Sequence, residues 1–146
     1  MSQVFLLDVN VFIAMAWPAH RDHDKVQHWL ARHAGEGWAT CPFTECAFVR
    51  ILSNPAFSPN ALTPADALAL LRANLGHPGH RFWEEDISFA EAIEPFRERL
   101  VGHRQVSDAY LLGLAIRRKG ALATMDRAVL ALLPDKSAER ERITII

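Results

Sequence analysis

Val4-Phe5-Leu6-Leu7-Asp8-Val9-Asn10 near the start of the chain and Ala121-Leu122-Ala123-Thr124-Met125-Asp126 near its end share one pattern, an apolar run that gives way to polar residues at an aspartate. A continuous apolar run, without in-and-out alternation, is what a strand covered on both faces requires. In an open parallel sheet the carboxyl ends of the strands line one crevice, and ligands bind there. Acids far apart in sequence therefore meet at one place. Their charges repel, and a divalent cation is the usual remedy. The two motifs together point to a metal-dependent hydrolase.

The stretches between them support the same architecture. Val4–Leu7 reads as a first strand and Val11–Trp17 as a short apolar helix stopped near Pro18. Asp22 or Asp24 caps a second helix to about His33, and Trp38-Ala39-Thr40 is a second strand. Pro42 suits a first helical turn and opens a helix through about Leu52. After the Asn54-Pro55 and Ser58-Pro59 connection, Thr63 caps a helix with Pro64 at its first position. Arg81-Phe82-Trp83 is a third strand. Ser88 starts a helix to about Leu100 in capping-box form with Glu91. Ser107 starts the next, reaching Lys119 with Gly120 as its C-cap. Ala121–Thr124, a short helix Arg127–Leu133 and a last strand Ile143–Ile146 complete the order. Strands alternating with helices, none joined by a hairpin signal, give an α/β fold: a central parallel sheet of about five strands covered by helices on both faces. A length of 146 residues with no linker or repeat fits one domain, 1–146.

Composition narrows the class. No apolar run approaches the ~20 residues of a membrane span, and no basic n-region precedes the first strand, so neither a membrane protein nor a secretory signal is expected. Cys41 and Cys46 lack C-x-x-C spacing and read as buried free thiols in a reducing cytoplasm. A net charge of −1 excludes the broad basic field of a purely electrostatic nucleic-acid binder, although arginine, the better phosphate fork, outnumbers lysine. His20, His23, His28 and His33 do not fall at the i, i+4 spacing of helical metal ligands. Trp29, Trp38 and Trp83 read as core, Trp17 as core or subunit contact, and Phe43 and Phe57 as core or partner contacts rather than base-stacking residues.

Four acids stand out by position. Asp8 and Asp126 end strands, Glu45 lies in the first turn after the second strand, and Asp108 opens the helix before the fourth. Asp108 shares a helical face with Leu111, Leu112 and Ala115, and Glu45 with Phe48, Val49 and Leu52. Taken singly, each could be a helix cap or a favourable dipole partner. Jointly, caps do not account for four acids at one end of one sheet, two of them on apolar stripes where an unpartnered charge is costly. Two carboxylates ~4 Å apart repel by about 4 kcal/mol at an effective dielectric near 20, so either some are protonated or a cation sits among them. All-oxygen ligands suit Mg²⁺ or Mn²⁺, ions that drive phosphodiester hydrolysis by acidifying bound water and stabilising the leaving oxygen.

The ordered set Leu7-Asp8-Val9-Asn10, Thr44-Glu45-Cys46-Ala47-Phe48-Val49-Arg50, Ser107-Asp108-Ala109-Tyr110 and Thr124-Met125-Asp126-Arg127 resembles the PIN-domain nucleases, and more closely the VapC-type toxins of bacterial toxin–antitoxin pairs. The resemblance spans nearly the whole chain. It implies a PIN-like fold and cleavage of RNA with Mg²⁺ or Mn²⁺. Asp8 and Asp108 match the principal metal-binding aspartates, Glu45 the third acid and Asp126 the more variable fourth. Asn10 and Thr124 match polar residues that orient acids or waters. It also implies a cytoplasmic homodimer neutralised by a cognate antitoxin.

Arg50, five residues beyond Glu45, and Arg127, directly after Asp126, are the expected RNA-backbone contacts, with a solvated side chain or an internal ion pair to one of the acids as the competing reading. Arg104 and Arg117-Arg118-Lys119 are further rim candidates, the latter three also reading as charge complementing a helix C-terminus. A non-cleaving RNA-binding module is the main rival. It predicts binding that survives neutralisation of the acids. A phosphotransfer domain using Asp8 as nucleophile is disfavoured by Asn10 and by the lack of a lysine near Asp126, and no G-x-G-x-x-G follows the first strand.

Overall fold

Side-chain parity along two short strands organises the molecule. In β1 (Phe5–Leu7), Phe5 and Leu7 enter one hydrophobic core while Leu6 enters another. In β4 (Ala121–Thr124), Ala121 and Ala123 join the first core and Leu122 the second. The register Phe5↔Ala121, Leu6↔Leu122, Leu7↔Ala123 sets these residues side by side in parallel strands. Both faces of the strands are covered, which is why the runs are apolar throughout.

The structure, a computed structural model, describes residues 3–146; Met1 and Ser2, the start of the expected domain, lie outside the described residues. With β2 (Trp38–Thr40), β3 (His80–Phe82) and β5 (Ile143–Ile145), the parallel sheet has the order β3-β2-β1-β4-β5. The chain runs outward from β1 to β3, then crosses back and runs outward again through β4 to β5. The winding direction therefore reverses between β1 and β4, and a crevice opens there beyond the carboxyl ends of the strands.

One face carries α1 (Val9–Ala16), α2 (His23–His33), α3 (Pro42–Leu52) and α4 (Pro64–Leu75), whose Phe12, Val26, Phe48 and Leu71 fill the core beneath Phe5 and Leu7. The other carries α5 (Phe89–Ile93) and α6 (Val106–Arg117), packed on Leu6 and Leu122. The two helices approach closely at Gly113, where an added Cβ would collide with the Ala92 backbone.

Several boundaries differ from expectation. α1 starts at Val9, two residues early, because Asp8 itself is its N-cap and accepts from the Val9 N–H. The helix after Ser88 ends at Ile93 and tightens to 3₁₀ geometry over Glu94–Arg99, since Pro95 removes a backbone donor. Ser88 accepts from the Glu91 N–H, which is half of a capping box. α6 begins at Val106, after a 3₁₀ turn, so Asp108 sits within its first turn rather than capping it. Arg127–Leu132 is 3₁₀ rather than α-helical. The third strand is shifted one residue to His80–Phe82.

The left-handed residue after α6 is Lys119 (φ 57°), not Gly120. Gly120 is needed for another reason. A Cβ there would stand 2.6 Å from the Trp83 ring and 2.6 Å from the Val4 carbonyl. Cys41 is buried as expected, but Cys46 is exposed. Trp38 and Trp83 are core, while Trp29 is half-buried with its ring edge-on to Phe5. Among the described residues, no helix is long and apolar enough to cross a membrane.

Candidate active site

The β1–β4 boundary holds a carboxylate wired to both strands. Continuing the strand parity, Asp8 follows Leu6 and Thr124 follows Leu122, so both side chains lean toward the face covered by α6. The Thr124 hydroxyl donates to Asp8 Oδ2 at 2.8 Å, across 116 residues of sequence. The Val9 N–H donates to Oδ1 at 2.7 Å, and the Asp8 N–H donates to the Ala123 carbonyl at 2.9 Å. The Thr124 oxygen in turn accepts the Asp126 N–H at 3.1 Å, which draws the fourth acid to the same corner. Asp126 caps the following turn, accepting from the Ala128 N–H.

Asp108 arrives from above on α6. Its stripe-mates Leu111, Leu112 and Ala115 are buried, and the carboxyl is carried half-buried at the edge of that stripe. Burial pushes it up, and the nearby charges of Asp8 and Asp126 push it further, to about 7. Asp8 is also raised, first by burial and then by Asp126, against the lowering effect of its bonds from Thr124 and Val9. The structure thus brings Asp8, Asp108 and Asp126 into one repelling group.

Glu45 stands differently. It lies in the first turn of α3, above the buried Phe48 and Leu52, and one of its oxygens is held by Thr40. The four acids do not close into a ready-made cage: among the described residues, no three Asp, Glu, His or Cys side chains stand close enough to hold an ion between them. The donor set is nevertheless one that a hard cation fits. Asp126 adds to the burial that raises Asp8, Asp8 and Asp126 add to that which raises Asp108, and Asn10 Oδ1, two residues after Asp8, is buried with no hydrogen-bond partner.

The arginines separate into two kinds. Arg50 and Arg127 are exposed, and neither is paired with an acid among the described residues. Arg117 and Arg118 pair with Asp86 at 3.8 and 3.6 Å, and Arg118 also donates to the Glu84 carbonyl, which makes them fasteners of the α6 end. Trp17 packs edge-on against Phe57 within the chain. Phe43 and Phe89 flank Tyr110 with ring centroids 5.6 Å away in both cases. A cavity of about 300 Å³ lined by Met15, Gln27, Leu30, Trp38 and His77 includes none of the four acids.

Sequence reasoning missed Thr40 and His80. Threonine as the last residue of β2, as Thr124 is of β4, was the available signal for the first. The second meets Thr40 only through strand pairing.

An open parallel sheet with carboxylates gathered at its switch point is the frame of a PIN-fold protein, and a model of the PIN domain matches residues 5–133. The chain belongs to the PIN domain family. It is similar to Ribonuclease VapC38 of Mycobacterium tuberculosis, 45% identical over 127 residues that cover 87% of this chain and 88% of the relative. Ribonuclease VapC39 of the same organism is 42% identical over 124 residues, 85% of this chain and 89% of the relative. The solved structure of VapBC2 from Rickettsia felis bound to a DNA fragment from their promoter shares the fold, with a TM-score of 0.61 over 90% of this chain and 93% of that chain at 12% identity.

Proposed function

We propose that this chain, as one PIN domain over residues 1–146, is a Mg²⁺- or Mn²⁺-dependent endoribonuclease and the toxin of a toxin–antitoxin pair. The carrying observation is the convergence at the β1–β4 boundary, where Thr124 ties Asp8 to the Asp126 backbone and Asp108 is near enough for the charges of Asp8 and Asp126 to raise it. Such a group of acids is poised for a counter-charge, and perturbed carboxyls of this kind cluster at functional sites. Similarity to proteins named ribonuclease VapC supports RNA as the substrate, and the VapBC2 neighbour supports an antitoxin partner.

Asp8 and Asp108 would hold the cation, with Asp126 and Glu45 completing its surroundings and Asn10 offering a further oxygen. The ion supplies positive charge that acidifies water and offsets charge building on the phosphate. The protein's own part is rigidity. Thr124 and the Val9 N–H fix both oxygens of Asp8, and Thr124 also anchors the Asp126 backbone, so the acids need not reorganise during reaction. Arg50 and Arg127 would lie against the RNA backbone. Self-association as a homodimer, residence in the cytoplasm and the bound antitoxin belong to the same reading.

End-mapping of a structured RNA incubated with purified protein tests it. Wild type is expected to cut with Mg²⁺ or Mn²⁺ and to stop with chelator, while Asp8→Asn leaves the RNA whole. Equal cleavage by wild type and Asp8→Asn, or cleavage indifferent to chelator, would end the proposal.

A further inference from the structure

Thr40 is the last residue of β2 and fully buried. Its hydroxyl donates to Glu45 Oε2 at 2.8 Å and lies 2.7 Å from His80 Nε2. Register explains the meeting. Trp38 pairs with His80 and Thr40 with Phe82, so Thr40 and His80 are diagonal neighbours on one face of adjacent strands. Trp38 packs on the same imidazole with centroids 5.0 Å apart.

Proton counting gives the chain a direction. A hydroxyl has one proton. With that proton on Glu45, His80 Nε2 must itself be the donor to Thr40. The order is therefore His80 N–H to Thr40 oxygen, then Thr40 O–H to the Glu45 carboxylate. Burial lowers the His80 pKa first, a Leu75 backbone hydrogen bond opposes this, and Arg81 lowers it again. The Nε2–H arrangement follows from the Thr40–Glu45 bond alone; the Leu75 contact, which raises the pKa, favours a proton on the other ring nitrogen and opposes it.

The other threonine that ends a central strand is wired alike. Thr124 accepts an N–H from behind, that of Asp126, and donates forward to Asp8. Thr40 has His80 Nε2 2.7 Å behind it and donates forward to Glu45. Both threonines are buried. A buried threonine needs only one partner, and a backbone carbonyl would serve for that. Each of these two, at the end of a strand beside β1, presents its proton to an acid instead, Thr124 on the α6 side of the sheet and Thr40 on the Trp38 side.

We propose that Thr40 and His80 are positioning residues for Glu45, fixing its carboxylate at the rim of the acidic crevice so that it takes part in RNA cleavage. This rests on the nuclease reading above, but the wiring itself can be tested without it.

Two measurements carry the test. In the first, kcat and KM for a short RNA are compared across variants. Thr40→Val keeps the shape and removes the hydroxyl, and it is expected to lower kcat by roughly 10- to 100-fold, the usual cost of losing a partner that orients a metal-site ligand. KM should stay within about twofold by the same logic, since binding is untouched. Thr40→Ser should restore most of the rate, and His80→Gln, which retains an N–H donor, should outperform His80→Phe. In the second, nitrogen-15 NMR of His80 without substrate should show a protonated Nε2 whose hydrogen-bonded proton signal is lost in Thr40→Val. Full kcat in Thr40→Val, or a rate that Ser fails to rescue in a protein of unchanged fold, overturns the positioning role. An unprotonated Nε2 overturns the wiring. If wild type cuts no RNA, the nuclease reading fails and the positioning role fails with it, while the NMR result still decides whether the relay exists.

Discussion

Two threonines end strands on either side of β1, yet the acids they hold live in opposite electrostatic circumstances. At the β1–β4 boundary Thr124 binds Asp8 inside a group of three carboxylates, where Asp126 adds to the burial that raises Asp8, and Asp8 and Asp126 add to that which raises Asp108. At the β2–β3 side Thr40 donates to a single carboxylate and stands 2.7 Å from His80 Nε2. The first arrangement concentrates negative charge that no arginine or lysine pairs with among the described residues. The second stabilises one charge with a directed hydrogen bond, which is stronger for an ionised acceptor. Each threonine ends its strand, but Thr124 continues the Leu122 face covered by α6 while Thr40 continues the Trp38 face on the other side of the sheet.

Breaking the repelling group should have the largest effect. Asp8→Asn or Asp108→Asn is expected to lower single-turnover cleavage by on the order of 10²–10³, the cost typical of removing one preorganised electrostatic group. Thr124→Val should fall short of that but exceed Thr40→Val in the same assay, because Thr124 anchors two acids and Thr40 one. Parity between the two threonine variants would dissolve the contrast drawn between the regions.

Both regions depend on the packing that seats α6 over the sheet. Gly113→Ala places a methyl against the Ala92 backbone and should destabilise by about 1–3 kcal/mol, as overpacking does. Chemical denaturation measures this. An unchanged midpoint would mean that α5 yields freely.

The smallest effect is a stability gain. Asp108 is raised in the folded chain to about 7 from the ordinary 3.8, so between those values the native state binds more protons than the unfolded one. Without divalent ions, stability should therefore fall as pH rises from about 4 to 7 and stay low above. Asp108→Asn removes that penalty. With Asp108 half-buried, solvent screening leaves roughly 1 kcal/mol, or about 2–4 °C in melting temperature at pH 8 for a chain of this size. The gain should vanish near pH 4, and added Mg²⁺ should narrow it by stabilising wild type alone. A variant no more stable than wild type at pH 8 in chelator would show that the three acids do not strain the fold.

The sequence by itself determined the strands, their parallel sense and the four acids. Apolar runs such as Phe5–Leu7 and Ala121–Thr124 carry that information locally, because a residue buried on both faces has few chemical choices. It also determined that Asp108 rides an apolar stripe, since helical spacing alone puts it in line with Leu111, Leu112 and Ala115. Tertiary structure decided what the acids became. Whether a carboxyl titrates near 4 or near 7 depends on burial and on charges brought from 100 residues away, as Asp8 is to Asp108. The Glu45 tether depends on a β2–β3 register that sets His80 diagonally beside Thr40, forty residues apart. Local pattern fixes which residues are buried, but electrostatics falls off with distance in space, and only the folded chain sets those distances.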